Sequence, residues 1–228
     1  GNYFDLTAIS PATDEVTFSR TGPASITALG DRLMFTGAGT VRVTASDPGD
    51  NNYLPAPDVE VEFNVSNSTA LISLTGLLQT YNGSPRSVGV STNPASLAAT
   101  ITYGGSPTAP TNAGTYEVIA TITSPGYTGT VTRSLVIQPL NQAITFAEIA
   151  SAKGVGESFD LTASSNSGLP VTFVVRSGPA SLALNGRTLS ITGVGIVEIV
   201  ASQGGNGNYS PATDFIRAFS TIKNTATV

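Results

Sequence analysis

The chain has 228 residues, a formal net charge of −5 and only 11% charged side chains, with 24 glycines and 14 prolines. It contains no Cys, His or Trp, which excludes His-based triads, thiol nucleophiles and the zinc, copper and iron sites built from imidazole or thiolate. Its ten Lys and Arg residues stand singly in an acidic chain, so no basic stripe tracks a phosphate backbone and nucleic acid is not an expected partner. No apolar run approaches the roughly 18 residues that suggest a membrane-spanning helix, and no insertion into a membrane is expected of this segment.

From Phe4 onward, short apolar runs alternate with Gly, Pro and Asn turn signals, ending in Val59-Glu60-Val61-Glu62-Phe63-Asn64-Val65. This last run alternates strictly. It predicts a strand with Val59, Val61, Phe63 and Val65 on a buried face and Glu60 and Glu62 facing out. The stretch from Ser66 to Pro139 has a different pattern and little charge. Predicted strands are Leu71–Leu74, Leu77–Thr80, Val88–Thr92, Ala98–Tyr103, Thr115–Thr123 and Val131–Ile137, with Tyr116, Val118, Ala120 and Ile122 forming a core stripe. From Ala143, strands are expected at Ile144–Phe146, Phe159–Ala163, Val171–Val175, Ser181–Leu184, Thr188–Thr192, Val197–Ser202 and Phe215–Ile222. Seven short strands in such a span, with no sustained helical period, predict an immunoglobulin-like sandwich.

The first and last stretches are copies of one repeat. Phe4-Asp5-Leu6-Thr7-Ala8 returns as Phe159-Asp160-Leu161-Thr162-Ala163, Gly22-Pro23-Ala24-Ser25 as Gly178-Pro179-Ala180-Ser181, and Asn52-Tyr53 as Asn208-Tyr209. One residue has entered the second copy between Phe173 and Gly178. So long a period implies whole domains in series and not a solenoid of short units. The expected fold class is all-β, three Ig-like β-sandwich modules in tandem. The expected divisions are 1–65, a repeat lacking its first strand; 66–140, a β-rich middle domain; 141–222, the complete repeat; and 223–228, the start of a further middle-type module. Linkers are expected at Ser66-Asn67-Ser68 and Gln138-Pro139-Leu140-Asn141-Gln142, the second stiffened by Pro139.

Two landmarks carry a family resemblance. Through Gln79-Thr80-Tyr81-Asn82-Gly83-Ser84-Pro85, Ser91-Thr92-Asn93-Pro94 and Pro110-Thr111-Asn112-Ala113-Gly114-Thr115-Tyr116, the middle stretch resembles the bacterial MBG domain, a module of long surface and secreted proteins. The flanking copies are similar to the bacterial Ig-like repeats that accompany it, through Gly168-Leu169-Pro170-Val171-Thr172-Phe173, Ser177-Gly178-Pro179-Ala180 and Ala201-Ser202 followed by Asn208-Tyr209. The first copy departs at Ala12-Thr13-Asp14-Glu15, where Gly-Leu-Pro is missing. The resemblance implies architecture, an extracellular or cell-surface setting and no catalytic residues.

Each candidate site has a plain structural reading beside it. Asp47, Asp50 and Asp58 offer clustered oxygens to a Ca²⁺ ion, or serve as turn residues; in the second copy the loop carboxylates are replaced by Gln203 and Asn206. Tyr81, Tyr103 and Tyr127 suit sugar stacking on an uncharged surface, or are structural. Tyr53, Tyr209 and Tyr116 read as corner tyrosines. Thr36-Gly37-Ala38-Gly39 and Thr192-Gly193-Val194-Gly195 contain part of a dinucleotide fingerprint, but strands follow them, so hairpin turns are expected. Glu60 and Glu62 lack the facing cleft of a glycosidase. Lys153 is weighed as the donor of a covalent crosslink and read as an ordinary surface lysine.

The chain therefore reads as a non-enzymatic spacer without cofactors, its partners being neighbouring repeats of the same chain. The rival reading is a glycan-binding module centred on the middle domain. Gly1 aligns with Gly156, and Thr225–Val228 with Thr69–Ile72. The first copy thus lacks the counterpart of Ile144-Thr145-Phe146, and an apolar slot is expected there. Strand exchange from another chain, with the tail after Phe219 as donor, or self-association through an open edge are the expected consequences.

Overall fold

The computed structural model describes residues 3–12, 16–149 and 153–224. The expectations attached to Gly1, to Thr13–Glu15 of the first-copy loop and to Thr225–Val228 lie outside the described residues. Among the described residues the regular structure is all strand, as an Ig-like sandwich requires, and no helix is long and apolar enough to cross a membrane.

The first stretch forms β1 (Tyr3–Asp5), β2 (Thr17–Thr21), β3 (Ala24–Ile26), β4 (Arg32–Phe35), β5 (Gly39–Ser46) and β6 (Val59–Val65). The middle forms β7 (Ser68–Thr69), β8 (Leu71–Thr75), β9 (Leu78–Thr80), β10 (Gly89–Asn93), β11 (Ala99–Tyr103), β12 (Gly114–Ile122), β13 (Tyr127–Thr128) and β14 (Thr130–Gln138). The last forms β15 (Ile144–Phe146), β16 (Lys153–Gly154), β17 (Ser158–Asp160), β18 (Ala163–Ser165), β19 (Thr172–Ser177), β20 (Ala180–Leu182), β21 (Thr188–Ile191), β22 (Ile196–Ser202) and β23 (Phe215–Ile222).

The chain folds into two compact units, one drawn from residues 1–75, 88–108 and 117–133, the other from 76–87, 109–116 and 134–228. In the first unit, β1-β4-β3 and β2-β5-β6 form two three-stranded sheets. Between them lie buried Ala24, Leu33, Val41 and Val43, with Leu6, Phe18, Ile26, Phe63 and Val65 only partly covered. The alternating strand β6 forms as expected, pairing with β5 from Val59↔Ala45 to Val65↔Gly39. Its apolar face is nevertheless open at one end, where Val59 and Val61 are 62% and 57% exposed. The same unit holds β8 paired with β10, and β11 paired with β12. Val118, Ala120 and Ile122 of the predicted stripe are buried there with Tyr103. Ser68, read as the end of a linker, instead opens a short strand with Thr69, parallel to β13.

In the second unit, β9 runs parallel to the end of β14. The second repeat forms sheets β17-β21-β20 and β16-β23-β22-β19, with β15 paired to β18. Its core is far larger, with Ile144, Phe146, Leu161, Phe173, Leu189, Ile191, Val197, Ile199, Ala201 and Phe219 all buried. The residue inserted in this copy is a β-bulge: β19 pairs with β22 in register from Thr172 to Val175, then shifts so that Ser177 faces Glu198. In the first copy, β2 and β5 pair without interruption from Thr17 to Thr21. A bulge absorbs one extra residue in one strand while leaving both faces correctly assigned beyond it.

The Gly-Pro and Gly-x-Gly motifs fit one another. Gly22 and Gly178 have φ of +89° and +97°, and a Cβ at either would lie 2.1–2.2 Å from the carbonyl oxygen of Thr40 or Ile196. The prolines that follow pack over Gly37 and Gly39, or over Gly193 and Gly195. The Gly-x-Gly segments are thus turns that lead into β5 and β22.

Candidate interaction site

The carboxylate loop of the first repeat is held by local hydrogen bonds. Asp47 Oδ1 accepts from the Gly49 amide at 2.8 Å, and Asp50 Oδ1 accepts from the Asn52 and Tyr53 amides at 2.7 and 2.9 Å. The Ala56 amide closes the loop on the Asp47 carbonyl at 3.1 Å. The second copy repeats this set with amides in place of carboxylates. Gln203 Oε1 accepts from the Gly205 amide, Asn206 Oδ1 from the Asn208 and Tyr209 amides at 2.8 and 3.0 Å, and the Ala212 amide reaches the Gln203 carbonyl at 2.9 Å. A single acceptor oxygen does the same work in both loops, so charge is not what the turn requires. Asp58 is exposed in the approach to β6. Among the described residues, no three Asp, Glu, His or Cys side chains gather in a metal-binding group.

Glu60 and Glu62 share one cation. Arg42 donates to Glu60 at 2.8 Å and to Glu62 at 2.9 Å across the β5–β6 pair. The hydrogen bond to Glu62, followed by the charge of Glu60, raises the Arg42 pKa above its usual value. Lys153 lies with its ammonium 4.7 Å from the Phe159 ring centroid, a cation–π contact.

The segment expected as the second linker is fastened along its length within the second unit. The Leu140 amide donates to the Asn208 carbonyl at 2.9 Å, and the Ser210 amide donates to the Leu140 carbonyl at 3.0 Å, so Leu140 forms a parallel bridge with Tyr209. Two residues on, Gln142 is buried. Its Nε2 donates to Gln203 Oε1 at 2.6 Å and to the Ser210 carbonyl at 2.7 Å, while its Oε1 accepts from Ser165 Oγ at 2.7 Å and from Ser167 Oγ. A glutamine amide has two donors and two acceptor positions, and here all four are used. The next residues enter the core as β15.

Asn208 reaches the other way. Its Oδ1 accepts from the Ala113 amide at 2.8 Å, and its Nδ2 donates to Asn112 Oδ1 at 3.1 Å. Tyr209 packs edge-on against Tyr81, ring centroids 5.4 Å apart. The Asn112-Ala113 and Tyr81 landmarks thus meet the Asn208-Tyr209 landmark of the repeat. The sequence reading missed this joint and Gln142 at its centre. The one available signal was a polar Gln two residues before the apolar Ile144-Thr145-Phe146 run, which composition alone assigns to solvent.

Two other tyrosines are tied into structure by their hydroxyls. Tyr103 is buried and its hydroxyl accepts from the Val88 amide at 3.1 Å. Tyr116 donates its hydroxyl to the Asn112 carbonyl at 3.0 Å, a corner contact of the kind expected. Tyr127 lies half-buried in β13, and Tyr53 is exposed in the carboxylate loop.

Residues 70–141 match the family described as the MBG domain. No curated protein matches the chain. Among solved structures the chain is similar to Sidekick-1 immunoglobulin domains 1-5, at 14% identity over 98% of this chain and 57% of that one, TM-score 0.33. It is similar to the S-layer protein rSbsC(31-844) at 13% identity over 91% of this chain and 35% of that one, TM-score 0.33. It is also similar to SGBP-B of the Bacteroides ovatus mixed-linkage glucan utilization locus, in complex with a mixed-linkage heptasaccharide, at 14% identity over 68% of this chain and 48% of that one, TM-score 0.26. The chain spans between about a third and three fifths of these proteins. Residues 70–141, which match the MBG domain family, are thus set between two copies of one sequence repeat.

Proposed function

We propose that the chain is a non-enzymatic spacer segment of a long repetitive bacterial surface or secreted protein, built from modules 1–65, 66–140 and 141–222 in series, with 223–228 opening a further one. The observation that carries this reading is the joint at Leu140–Gln142. Where a freely jointed array would place a solvated linker, two backbone hydrogen bonds of Leu140 and a fully satisfied buried amide at Gln142 hold the chain on the following repeat. A joint with buried, saturated polar groups transmits orientation, because any bend leaves donors or acceptors without partners. The non-catalytic reading draws further support from the lack of His and Cys and from Glu60 and Glu62 sharing one guanidinium. The MBG match supports a surface or secreted setting.

The glycan-binding alternative is less well supported, since Tyr103 is buried and Tyr81 lies against Tyr209. The test is to present the purified chain to a glycan array and, separately, to stretch it between handles in a force instrument. The spacer reading expects no sugar to be retained and force peaks that correspond to whole modules. Specific retention of one glycan class, lost on Tyr81→Ala or Tyr127→Ala, would replace it.

A further inference from the structure

The two copies of the repeat differ in what covers one end of the sandwich. In the second copy, Ile144 and Phe146 of β15 fill that end at 8% and 3% exposure, with Phe146 5.3 Å from the Phe173 ring and 6.1 Å from the Phe215 ring. The backbone of β15 pairs with Ala163–Ser165. The matching positions of the first copy form an apolar groove of about 470 Å³, lined by Phe18, Val43, Ala45, Val59, Val61 and Phe63. Ala8–Ser10, the counterpart of β18, lies outside any strand, and Tyr53 and Leu54, the counterparts of Tyr209 and Ser210, are exposed.

We propose that this groove is an acceptor for an extended strap with the chemistry of Leu140–Ala147, supplied by the carboxyl-terminal end of another middle-type module. The second repeat shows the contacts the strap makes, and the first repeat keeps a receiver for several of them. Asp47 and Ser10 stand where Gln203 and Ser165 hold Gln142. In the first repeat, Ser10 Oγ donates directly to Asp47 Oδ2, closing the place that the glutamine amide fills in the second. A carboxylate accepts from a glutamine Nε2 as an amide oxygen does, so the incoming Gln replaces one hydrogen bond by several. The Asp47–Ala56 loop has the same closing bonds as Gln203–Ala212, so Asn52 O and Leu54 N are placed as Asn208 O and Ser210 N are to bridge Leu140. The Ile and Phe of the strap then remove Val59 and Val61 from water. Other anchors are not kept: Asn166, which exchanges hydrogen bonds with Ala143, is Pro11 in the first repeat, and Ser167, which donates to Gln142 Oε1, is Ala12. Arg217, which donates to the Phe146 carbonyl at 2.7 Å, is Val61 in the first repeat, so binding there rests more on apolar contact. The tail after Phe219 is not the donor. It is engaged in β23 as far as Ile222, paired with β22 and β16.

This proposal does not depend on the spacer reading, and its test has separate outcomes. A synthetic peptide of Pro139–Glu148 is titrated into the full isotope-labelled chain and followed by amide shifts. Expected is saturable binding that moves Ala8–Ser10 and Val59–Phe63, weakened at least tenfold by Phe146→Ala in the peptide and by Val61→Glu in the chain. As a second measurement, residues 139–155 are copied ahead of Gly1. The melting of the first repeat should rise by several degrees, and the gain should vanish with Phe146→Ala in the added copy. No binding together with no stabilisation would overturn the proposal. So would shifts confined to Ala163–Ser165, equal affinity for the Phe146→Ala peptide, or a peptide-free dimer that occupies the groove.

Discussion

At the scale of single residues, two loops of shared geometry assign roles that residue type alone leaves open. Asp47 and Asp50 look like calcium ligands by charge, yet Gln203 and Asn206 accept the same backbone hydrogen bonds in the copy. Asp50→Asn should therefore change stability by less than about 0.5 kcal/mol, whereas Asp50→Ala, which removes the acceptor of two amides, should cost about 1 kcal/mol in urea denaturation. Chelator should leave the melting temperature unchanged. A rise of several degrees on adding calcium, abolished in Asp50→Ala, would make the loop a metal site instead. Gln142 carries the opposite lesson, because an unremarkable residue holds four hydrogen bonds, two buried and two partly buried. Gln142→Ala should destabilise the second unit by about 3 kcal/mol by stranding Ser165, Gln203 and the Ser210 carbonyl. A loss under about 1 kcal/mol would mean that water replaces the amide without difficulty.

At the scale of elements, most strands that carry an apolar pattern were legible and two-residue strands were not. Phe215–Ile222 and Ile144–Phe146 form at the expected bounds, and the insertion inferred between Phe173 and Gly178 is the bulge before Ser177. The two-residue strands β7, β13 and β16 went unseen, because a pair of residues has no period and its pairing is set by tertiary contact. The joint was invisible for a related reason: its bonds join groups far apart in the sequence, whose meeting no local pattern encodes. Among the described residues, the core cluster of the first copy holds four buried apolar residues, and that of the second, which includes Ile144 and Phe146 of β15, holds ten. Phe146→Ala should cost roughly 3–5 kcal/mol in the second repeat. Hydrogen exchange should find the amides of β2, β5 and β6 opening before those of β19, β22 and β23. Equal protection in the two repeats would show that β15 contributes little.

At the scale of the full chain, the proposed spacer role requires modules that stand in series and hold their distance. The bonds that tie Leu140 and Gln142 to the second repeat lie within the second unit and support that proposal. Small-angle X-ray scattering of the monomer at several dilutions tests it most directly. A compact globule of this length has a radius of gyration of about 17 Å. The account predicts a value roughly half again as large or more, with a distance distribution tailing to a long maximum dimension and unchanged by dilution or moderate salt. A radius near that of the globule, with a symmetric distance distribution, would contradict the spacer reading.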